Sequence, residues 1–201
     1  MELLREFYAL CPNGYCEDLL TEDEKKMVTG GNALFLTGVV QRADATNGNG
    51  RIYPYEVLAK EIESYQKLVK ESRAVGELDH PDAEEVRMAH VSHLITKLWW
   101  EGKDVMAKLK VLTTPNGNIL RQLIKDGVQL GISSRGMGSV REEGYKTYVE
   151  DNYRLVCFDI VHEPSTNGAF VKPSRLSEGL NRKSFSKADR INRLLVEISN
   201  R

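Results

Sequence analysis

The sequence predicts an α+β domain built on a mainly antiparallel, barrel-like sheet with flanking helices. Stretches with strand-like alternation or unbroken apolar character outnumber stretches with helical spacing, and two of them are joined by a short turn typical of a β-hairpin. Alternating strand–helix units are too few for a doubly wound parallel sheet. With 201 residues, 41% of them hydrophobic and 28% charged, the chain is long enough for one packed domain with a tail.

The first half of the chain contains one predicted strand and one predicted helix before its first polar motif. Residues 33–40 are rich in side chains that favour strands, which predicts a buried strand. A loop with several turn residues follows at 44–50. Pro54 then precedes apolar side chains at helical spacing, which predicts a helix over 55–72. Residues 74–78 are a short extended segment.

The second half predicts a hairpin, a helix and further strands. Residues 91–100 and 105–112 are alternating or apolar runs joined by a turn, which is the hairpin pattern. Thr114-Pro115 begins a helix over 114–126, and Gly127 ends it. Strands are predicted over 128–133 and 145–160, the latter interrupted near 151–152. A final amphipathic helix is predicted over 187–199.

The charge distribution divides the chain into a domain and a tail. Residues 1–26 hold seven acidic and three basic side chains, whereas residues 172–201 hold eight basic and three acidic ones. Small, polar and proline residues begin at Pro173, a pattern typical of linkers. We therefore expect a compact domain over 1–172, acidic over its first 30 residues, and a basic linker with a tail helix over 173–201. The basic tail could contact nucleic acid or an acidic partner. A solvated helix face is the simpler interpretation.

Composition also indicates the compartment. The net charge of −1 gives no general reason to bind nucleic acid or an anionic membrane. No apolar run approaches the roughly 20 residues that span a bilayer, and the acidic N-terminus does not resemble a secretory signal. The cysteines are odd in number (Cys11, Cys16 and Cys157), which favours reduced thiols in a cytosol.

His80 is the first candidate for catalytic chemistry. It lies in Gly76-Glu-Leu-Asp-His-Pro81, where an extended segment ends and a rigid scaffold can present a side chain to an open loop. Because a histidine titrates near neutrality, it can accept and return a proton. An ordinary turn at Asp79-His80-Pro81 is the alternative.

A second candidate is the segment 130–138, Leu-Gly-Ile-Ser-Ser-Arg-Gly-Met-Gly. A serine at the end of an apolar strand can present its hydroxyl, and the glycine-rich backbone after it can direct N–H groups at an oxyanion. Arg135 stands where the nucleophile elbow of α/β-hydrolases requires glycine, so that motif is excluded. A glycine-rich turn with solvated hydroxyls is the alternative.

Asp159 is the third candidate, because it is an acidic residue inside the apolar run 154–161. A buried carboxylate needs a partner. It could orient an imidazole, as the acidic member of a serine-protease triad does. Capping of a local turn, or pairing with an arginine, is the alternative.

Metal binding is a weaker interpretation of the same residues. His80, His90 and His93 with Glu77 or Asp79 could form a mixed site. In a strand, however, the odd spacing of His90 and His93 directs them to opposite faces. Cys11 and Cys16 lack a second pair of ligands, so a zinc knuckle is not expected, and we predict no metal or other cofactor.

Taken together and in order, five motifs resemble the prohead (procapsid) core proteases of tailed bacteriophages. They are Asn49-Gly50-Arg51-x-Tyr53, Gly76-Glu-Leu-Asp-His80-Pro, Val91-Ser-His93-Leu-Ile, Leu130-Gly-Ile-Ser-Ser-Arg-Gly136, and Phe158-Asp-x-Val161 with Pro164-Ser165. The resemblance covers about residues 33–172. It implies a fold similar to the herpesvirus maturation protease, a serine protease on a β-barrel with surrounding helices.

The resemblance also implies roles for the candidate residues. His80 would be the general base and Ser133 the nucleophile, with Ser134 as the alternative nucleophile. If 128–133 is a regular strand, the two serines point to opposite faces, so one alone can meet His80. Asp159 would be the third member, with His93 and His162 as competitors. Backbone N–H groups of Arg135 and Gly136 would stabilise the oxyanion.

The implied function is a serine endopeptidase that cleaves scaffold, capsid and its own chain inside an assembling phage head in the host cytoplasm. A non-catalytic assembly protein of the same fold is the alternative. The resemblance allows a homo-oligomer, and we expect no membrane or direct nucleic-acid role.

Proteases of this family favour an apolar residue, any residue, then Glu before the cut. Leu176-Ser-Glu178 in the predicted linker fits this pattern, and so does Leu195-Val-Glu197 in the predicted tail helix.

Overall fold

A computed structural model describes residues 2–8, 20–30, 33–81, 83–128 and 130–162, and in residues 2–8 only the strand itself. The predicted linker and tail over 173–201, with Glu178, lie outside the described residues, as do Cys11 and Cys16. The predicted domain boundary near residue 172 therefore stays a prediction.

The described residues form ten strands, three α-helices and one short 3-10 helix, Met88–His90, so that His90 lies just before a strand and not in it. The strands are β1 (Glu2–Tyr8), β2 (Leu34–Arg42), β3 (Arg51–Ile52), β4 (Val75–Glu77), β5 (Val91–Glu101), β6 (Asp104–Val111), β7 (Gly131–Gly138), β8 (Val140–Glu143), β9 (Lys146–Val149) and β10 (Arg154–Val161). The helices are α1 (Glu22–Thr29), α2 (Tyr55–Lys70) and α3 (Pro115–Lys125).

The strands pair in three sheets, with the orders β1-β7-β10, β2-β6-β5-β4 and β3-β9-β8. Every pairing is antiparallel except that of the short β3 with β9. The predicted α+β class with mainly antiparallel strands is therefore confirmed. The predicted barrel is not confirmed: in the described part of the chain the strands form three separate sheets, and the sheet that ends at β4 is joined to β10 by the isolated bridge Leu78–Ile160, just after β4.

Several predicted elements are confirmed within a few residues. The hairpin is β5–β6, and the two predicted helices are α2 and α3. Thr114 caps α3 by accepting a hydrogen bond from the Gly117 N–H, and Gly127 follows with a φ of 82°. The predicted strand over 145–160 is two strands, β9 and β10, separated at the expected break.

The predicted end of the strand at Ser133 is wrong, and so is the alternative of a glycine-rich turn with solvated hydroxyls. The strand β7 runs on to Gly138, because β1 and β10 pair with it on both sides. Its glycines permit close packing: a Cβ on Gly136 would come within 2.4 Å of the Tyr153 ring. The serines therefore lie inside the central strand of a sheet.

Apolar packing between α2 and the sheets forms the main core. Leu58, Ile62 and Tyr65 are the buried positions of α2, spaced so that they share one face of the helix. The Tyr65 ring packs edge-on against Phe158 of β10, with centroids 5.5 Å apart. The helix therefore supports the strand that carries Asp159.

The shorter helix α1 is held by one largely buried ion pair. The Lys108 Nζ of β6 lies 2.6 Å from Glu24 Oε2, and Thr21 and Glu24 form a capping box at the start of the helix. Over the described ranges, no helix has the length and apolar character needed to cross a membrane.

Candidate active site

The antiparallel pairing of β7 with β10 sets the positions of four polar side chains. Ser133 is the Cα partner of Asp159, and Arg135 is the partner of Cys157. Because side chains alternate along a strand, Ser133 and Arg135 lie on one face of β7 and Ser134 on the other. The register therefore brings Ser133 and Asp159 to the same place.

His80 reaches this place from the segment that follows β4. The Asp79 N–H donates to the Ile160 carbonyl at 2.7 Å, which fixes the end of this segment against β10. Asp79 itself has a φ of 73°, a left-handed conformation that Asp and Asn tolerate better than most residues. Its carboxylate accepts the His80 N–H at 2.9 Å, so the turn that directs the imidazole is held locally.

The structure brings His80, Ser133 and Asp159 together in a hydrogen-bonded chain. The His80 Nδ1–H donates to Asp159 Oδ2 at 2.9 Å, since a carboxylate can only accept. The other ring nitrogen, Nε2, is then unprotonated and accepts the Ser133 hydroxyl at 2.7 Å. This arrangement can remove a proton from the hydroxyl as it attacks an electrophile.

Asp159 is ionised despite its complete burial. Burial alone would raise the pKa of this carboxyl group, but the hydrogen bond from His80, the Arg135 charge and the Glu77 N–H bring its pKa below the usual value. A buried carboxylate that is charged and correctly oriented can stabilise a positive charge on the imidazole.

Ser134, the alternative nucleophile, is not brought to His80. It is fully buried, and within the described residues its hydroxyl oxygen has no hydrogen-bond partner. Gly136 and the backbone of Arg135 lie inside β7, between two paired strands, and not in a turn. Their N–H groups as oxyanion donors, and the identity of the nucleophile, stay predictions.

The two competing histidines lie elsewhere. His93 is fully buried: its Nδ1 accepts the Ser92 hydroxyl at 2.9 Å, and its Nε2–H donates to the Phe158 carbonyl at 3.0 Å. Burial lowers the pKa of His93 to about 4, so it is a neutral structural residue at pH 7. His162 is exposed just beyond β10. Both nitrogens of His80 are already used by Asp159 and Ser133.

The mixed metal site suggested by the sequence does not form. His80 and His93 bind the partners given above, and the His90 Nδ1 lies 3.2 Å from Arg87 Nη2. Across the residues whose positions are described, no group of three or more His, Cys, Asp or Glu side chains could hold a metal ion.

A polar network beneath Asp159 was missed by the sequence interpretation. Arg135 and Glu77 are both fully buried, and Arg135 Nη2 lies 3.0 Å from Glu77 Oε1. The Arg135 Nε–H also donates to Asp159 Oδ2 at 2.8 Å, so the alternative of an arginine partner for Asp159 holds as well. The sequence contained one signal for this network: Ser133 and Arg135 are two residues apart, so on a strand they lie on the same face.

The site opens to solvent beside the imidazole. The His80 side chain is 13% exposed, whereas Ser133 as a residue is only 1% exposed. The depression that includes His80 is also lined by Leu78, Asp79, Pro81, Arg87, Ala89, His90 and Asn116. A ligand in this depression would meet the imidazole edge first.

Known proteins resemble this chain in sequence and in structure. The family described as "Prohead core protein serine protease" matches residues 13–181. The prohead core protein protease of Enterobacteria phage T4 is 32% identical over 161 residues, which cover 78% of this chain and 76% of that protein. The solved structure of the bacteriophage T4 capsid assembly protease, gp21, matches with a TM-score of 0.67 and 26% identity, covering 80% of this chain and 97% of that one.

Proposed function

This chain belongs to the prohead core protein serine protease family, and we propose that it is a serine endopeptidase in which Ser133 is the nucleophile, His80 the general base and Asp159 the residue that orients His80. Its role is that of a protease in prohead maturation. The observation that carries the proposed chemistry is the continuous hydrogen-bonded chain Ser133–His80–Asp159.

In the first half of the reaction, the Ser133 Oγ attacks the carbonyl carbon of the scissile peptide while its proton passes to His80 Nε2. The imidazolium that forms is stabilised by the charge of Asp159. His80 then gives the proton to the leaving amine nitrogen, the C–N bond breaks, and an acyl-enzyme ester remains on Ser133.

In the second half, a water molecule takes the place of the leaving amine. His80 accepts a proton from this water as its oxygen attacks the ester carbonyl, and it returns the proton to the Ser133 oxygen as the ester bond breaks. The carboxylic acid product leaves, and the starting hydrogen bonds are restored. Because Ser133 is buried, the substrate peptide would approach through the depression beside His80.

The substrates we propose are the scaffold or core proteins and the capsid protein of an assembling phage head, inside the prohead. The printed names of the T4 relatives, a prohead core protease and a capsid assembly protease, support this substrate class. We also propose that the fold is related to that of the herpesvirus protease. The mainly antiparallel sheets support this relation, whereas the sheets of the described residues do not close into a barrel.

Self-cleavage after Glu178 is a further part of the proposal. The sequence Leu176-Ser-Glu178 lies in the predicted linker, and cleavage there would release the basic tail over 179–201. An exposed, extended linker is a better substrate than a packed helix or strand. The tail would tether the enzyme to an acidic scaffold before it is removed.

Labelling with a fluorophosphonate probe tests the proposed chemistry directly. We expect the folded chain to form one covalent adduct, located on Ser133 by peptide mass mapping. Ser133→Ala should abolish both labelling and peptide cleavage, while the matched control Ser134→Ala should keep both. Labelling on Ser134, or full cleavage by Ser133→Ala, would refute the assignment.

A further inference from the structure

The guanidinium group of Arg135 uses all five of its N–H donors inside the protein. Arg135 is fully buried below the Ser133–His80–Asp159 chain. The acceptors are Asp159 Oδ2 at 2.8 Å, the Ala83 carbonyl at 2.7 Å, the Glu85 carbonyl at 3.3 Å, Glu77 Oε1 at 3.0 Å, Cys157 Sγ at 3.1 Å and Asp159 Oδ1 at 3.3 Å, the last three sharing the two N–H groups of Nη2. An arginine has five such donors, so this side chain is saturated.

The acceptors lie on both sides of His80 along the chain. Glu77 ends β4, three residues before His80, and the Ala83 and Glu85 carbonyls come three and five residues after it. Asp159 is the direct partner of the imidazole. One rigid side chain therefore ties together the chain before His80, the chain after it and the carboxylate that binds it.

We propose that Arg135 is a positioning residue of the protease: through Asp159, and through the chain on both sides of His80, it holds the imidazole in line with Ser133. Glu77 is the counter-charge that keeps Arg135 in place. This inference rests on the proposed function of the three residues.

Two hydrogen bonds to one oxygen show how the positioning acts. Asp159 Oδ2 accepts from both His80 Nδ1 and Arg135 Nε, at 2.9 and 2.8 Å. Asp159 Oδ1 accepts from the Glu77 N–H at 2.9 Å. With both oxygens held, the carboxylate cannot rotate about its terminal bond, and the direction of its bond to the imidazole is fixed.

The buried charges require this cation. Asp159 and Glu77 are both fully buried, and an unpaired buried carboxylate is costly. Burial alone would lower the pKa of Arg135, but the charge of Asp159 and the hydrogen bonds to both carboxylates raise it above its usual value, so Arg135 is charged. Arg87, with its Nε 3.5 Å from Glu77 Oε2, is a second, more exposed cation.

A lysine could not replace this group. Its ammonium carries the same charge but has three donors and no planar fork. Arg135→Lys therefore separates the charge from the geometry. Glu77→Gln keeps the side-chain shape and removes one negative charge, and the double variant Glu77→Gln/Arg135→Met removes the cation together with one of its two anions.

We expect Arg135→Lys to lower kcat for a peptide substrate by roughly 10- to 100-fold, with little change in KM, because misalignment of the imidazole affects the reaction more than binding. Arg154→Lys is the matched control, since Arg154 is an exposed arginine on β10, and it should behave as the parent. Parent-like kcat in a folded Arg135→Lys would overturn the inference.

The pH profile supplies a readout that a purely structural role would not move. Several titratable groups face Asp159, namely His80, Arg135, Glu77, Cys157, Tyr65 of α2 and His93 of β5. Removing the Arg135 cation lets the Asp159–His80 pair take up a proton at higher pH. The acid limb of kcat/KM should therefore move to higher pH in the double variant and to lower pH in Glu77→Gln.

These experiments test the positioning role of Arg135 even if one variant does not fold. Thermal melting and far-UV circular dichroism identify the folded variants. If Arg135→Lys is unfolded, the pH profile of kcat/KM for Glu77→Gln decides. An acid limb at the same pH as in the parent overturns the inference. Fluorophosphonate labelling of the parent separates the two hypotheses. Absence of an adduct on Ser133 refutes the proposed triad, whereas a normal adduct with parent-like Arg135 variants refutes only the positioning role.

Discussion

Ser133 and Asp159 are Cα partners across the antiparallel strands β7 and β10, and both hydrogen-bond the same imidazole. The separation of the two side chains is therefore set by the geometry of a strand pair and not by a loop. The third member of the proposed triad, His80, lies outside this strand pair. Asp79, whose backbone has a left-handed conformation, directs the His80 side chain toward the two strands.

Asp159→Asn should lower kcat by about 10³- to 10⁴-fold, because an amide can donate to His80 Nδ1 and so favour the wrong tautomer of the imidazole. Proteolysis of a peptide and the rate of fluorophosphonate labelling are the measurements. Asn152→Asp, a change between the same two residues at an exposed turn, is the control and should leave both rates unchanged. A folded Asp159→Asn protein with more than a tenth of the parent kcat would contradict the proposed role.

Ser134→Ala should fold with a free energy of unfolding equal to that of the parent or higher by up to about 1 kcal/mol, because it removes a buried hydroxyl that has no hydrogen-bond partner. Urea denaturation measures the difference. The matched variant Ser92→Ala removes a buried hydroxyl that does bind a partner, His93, and should be destabilised by about 1 kcal/mol. Equal losses in the two variants would show that the Ser134 hydroxyl is satisfied in solution.

Gly76→Ala should be destabilised by about 2–3 kcal/mol and lose activity, since the added methyl group overpacks the contact between β4 and β10. The new Cβ would come within 2.0 Å of the Phe158 carbonyl oxygen and 2.4 Å of His93 Nε2. Displacement of β4 also displaces His80, which follows it.

The control for Gly76→Ala is Gly144→Ala. Gly144 has a positive φ of 62° but open space around its Cβ position, so its substitution tests backbone strain alone and should cost about 1 kcal/mol with full activity. Thermal melting and peptide cleavage are measured for both. Similar losses of activity would show that close packing at Gly76 does not position His80.

The burial of His93 should make the protein less stable in mild acid. Its pKa is lowered from 6.5 to about 4 in the folded protein, so the unfolded chain binds the proton more readily. The free energy of unfolding should be constant above pH 6.5 and fall by about 3 kcal/mol between pH 6.5 and pH 4, at about 1.4 kcal/mol for each pH unit. The lowered pKa of Asp159 acts only below this range.

Urea denaturation at pH 7 and at pH 4.5 measures this acid sensitivity. His93→Gln, which retains an N–H donor for the Phe158 carbonyl, should lose most of the difference between the two pH values. His162→Gln, at an exposed position, controls for the loss of one imidazole. An unchanged pH dependence in His93→Gln would mean that another group causes the acid sensitivity.

Glu178→Gln should prevent release of residues 179–201, because the family pattern places Glu immediately before the cut. Intact-mass measurement of the purified chain should give a product ending at Glu178, absent in Ser133→Ala and in Glu178→Gln. Glu197→Gln, in the same pattern within the predicted tail helix, is the control and should be processed as the parent. An unchanged product mass in Glu178→Gln would place self-cleavage elsewhere.

The sequence predicted the elements whose pattern is local. The apolar spacing of 55–72 and the turn between 91–100 and 105–112 indicated α2 and the β5–β6 hairpin, because each depends on contacts between residues close in the chain. The predicted strand over 128–133 ends too early, since β7 continues to Gly138. Glycine and serine after Ser133 resemble a turn in isolation, and only pairing with β1 and β10 makes them a strand.

By itself, the sequence determined which chemical groups are available: an imidazole after Asp79, a serine pair before Arg135 and an acid within an apolar run. It also gave the order of motifs that marks the family. The tertiary structure decided which groups meet, because the register of β7 with β10 puts Ser133 opposite Asp159 and turns Ser134 away. It also decided that Arg135 binds Glu77 and Asp159. The contacts of this site join residues up to 82 positions apart, and no local pattern encodes them.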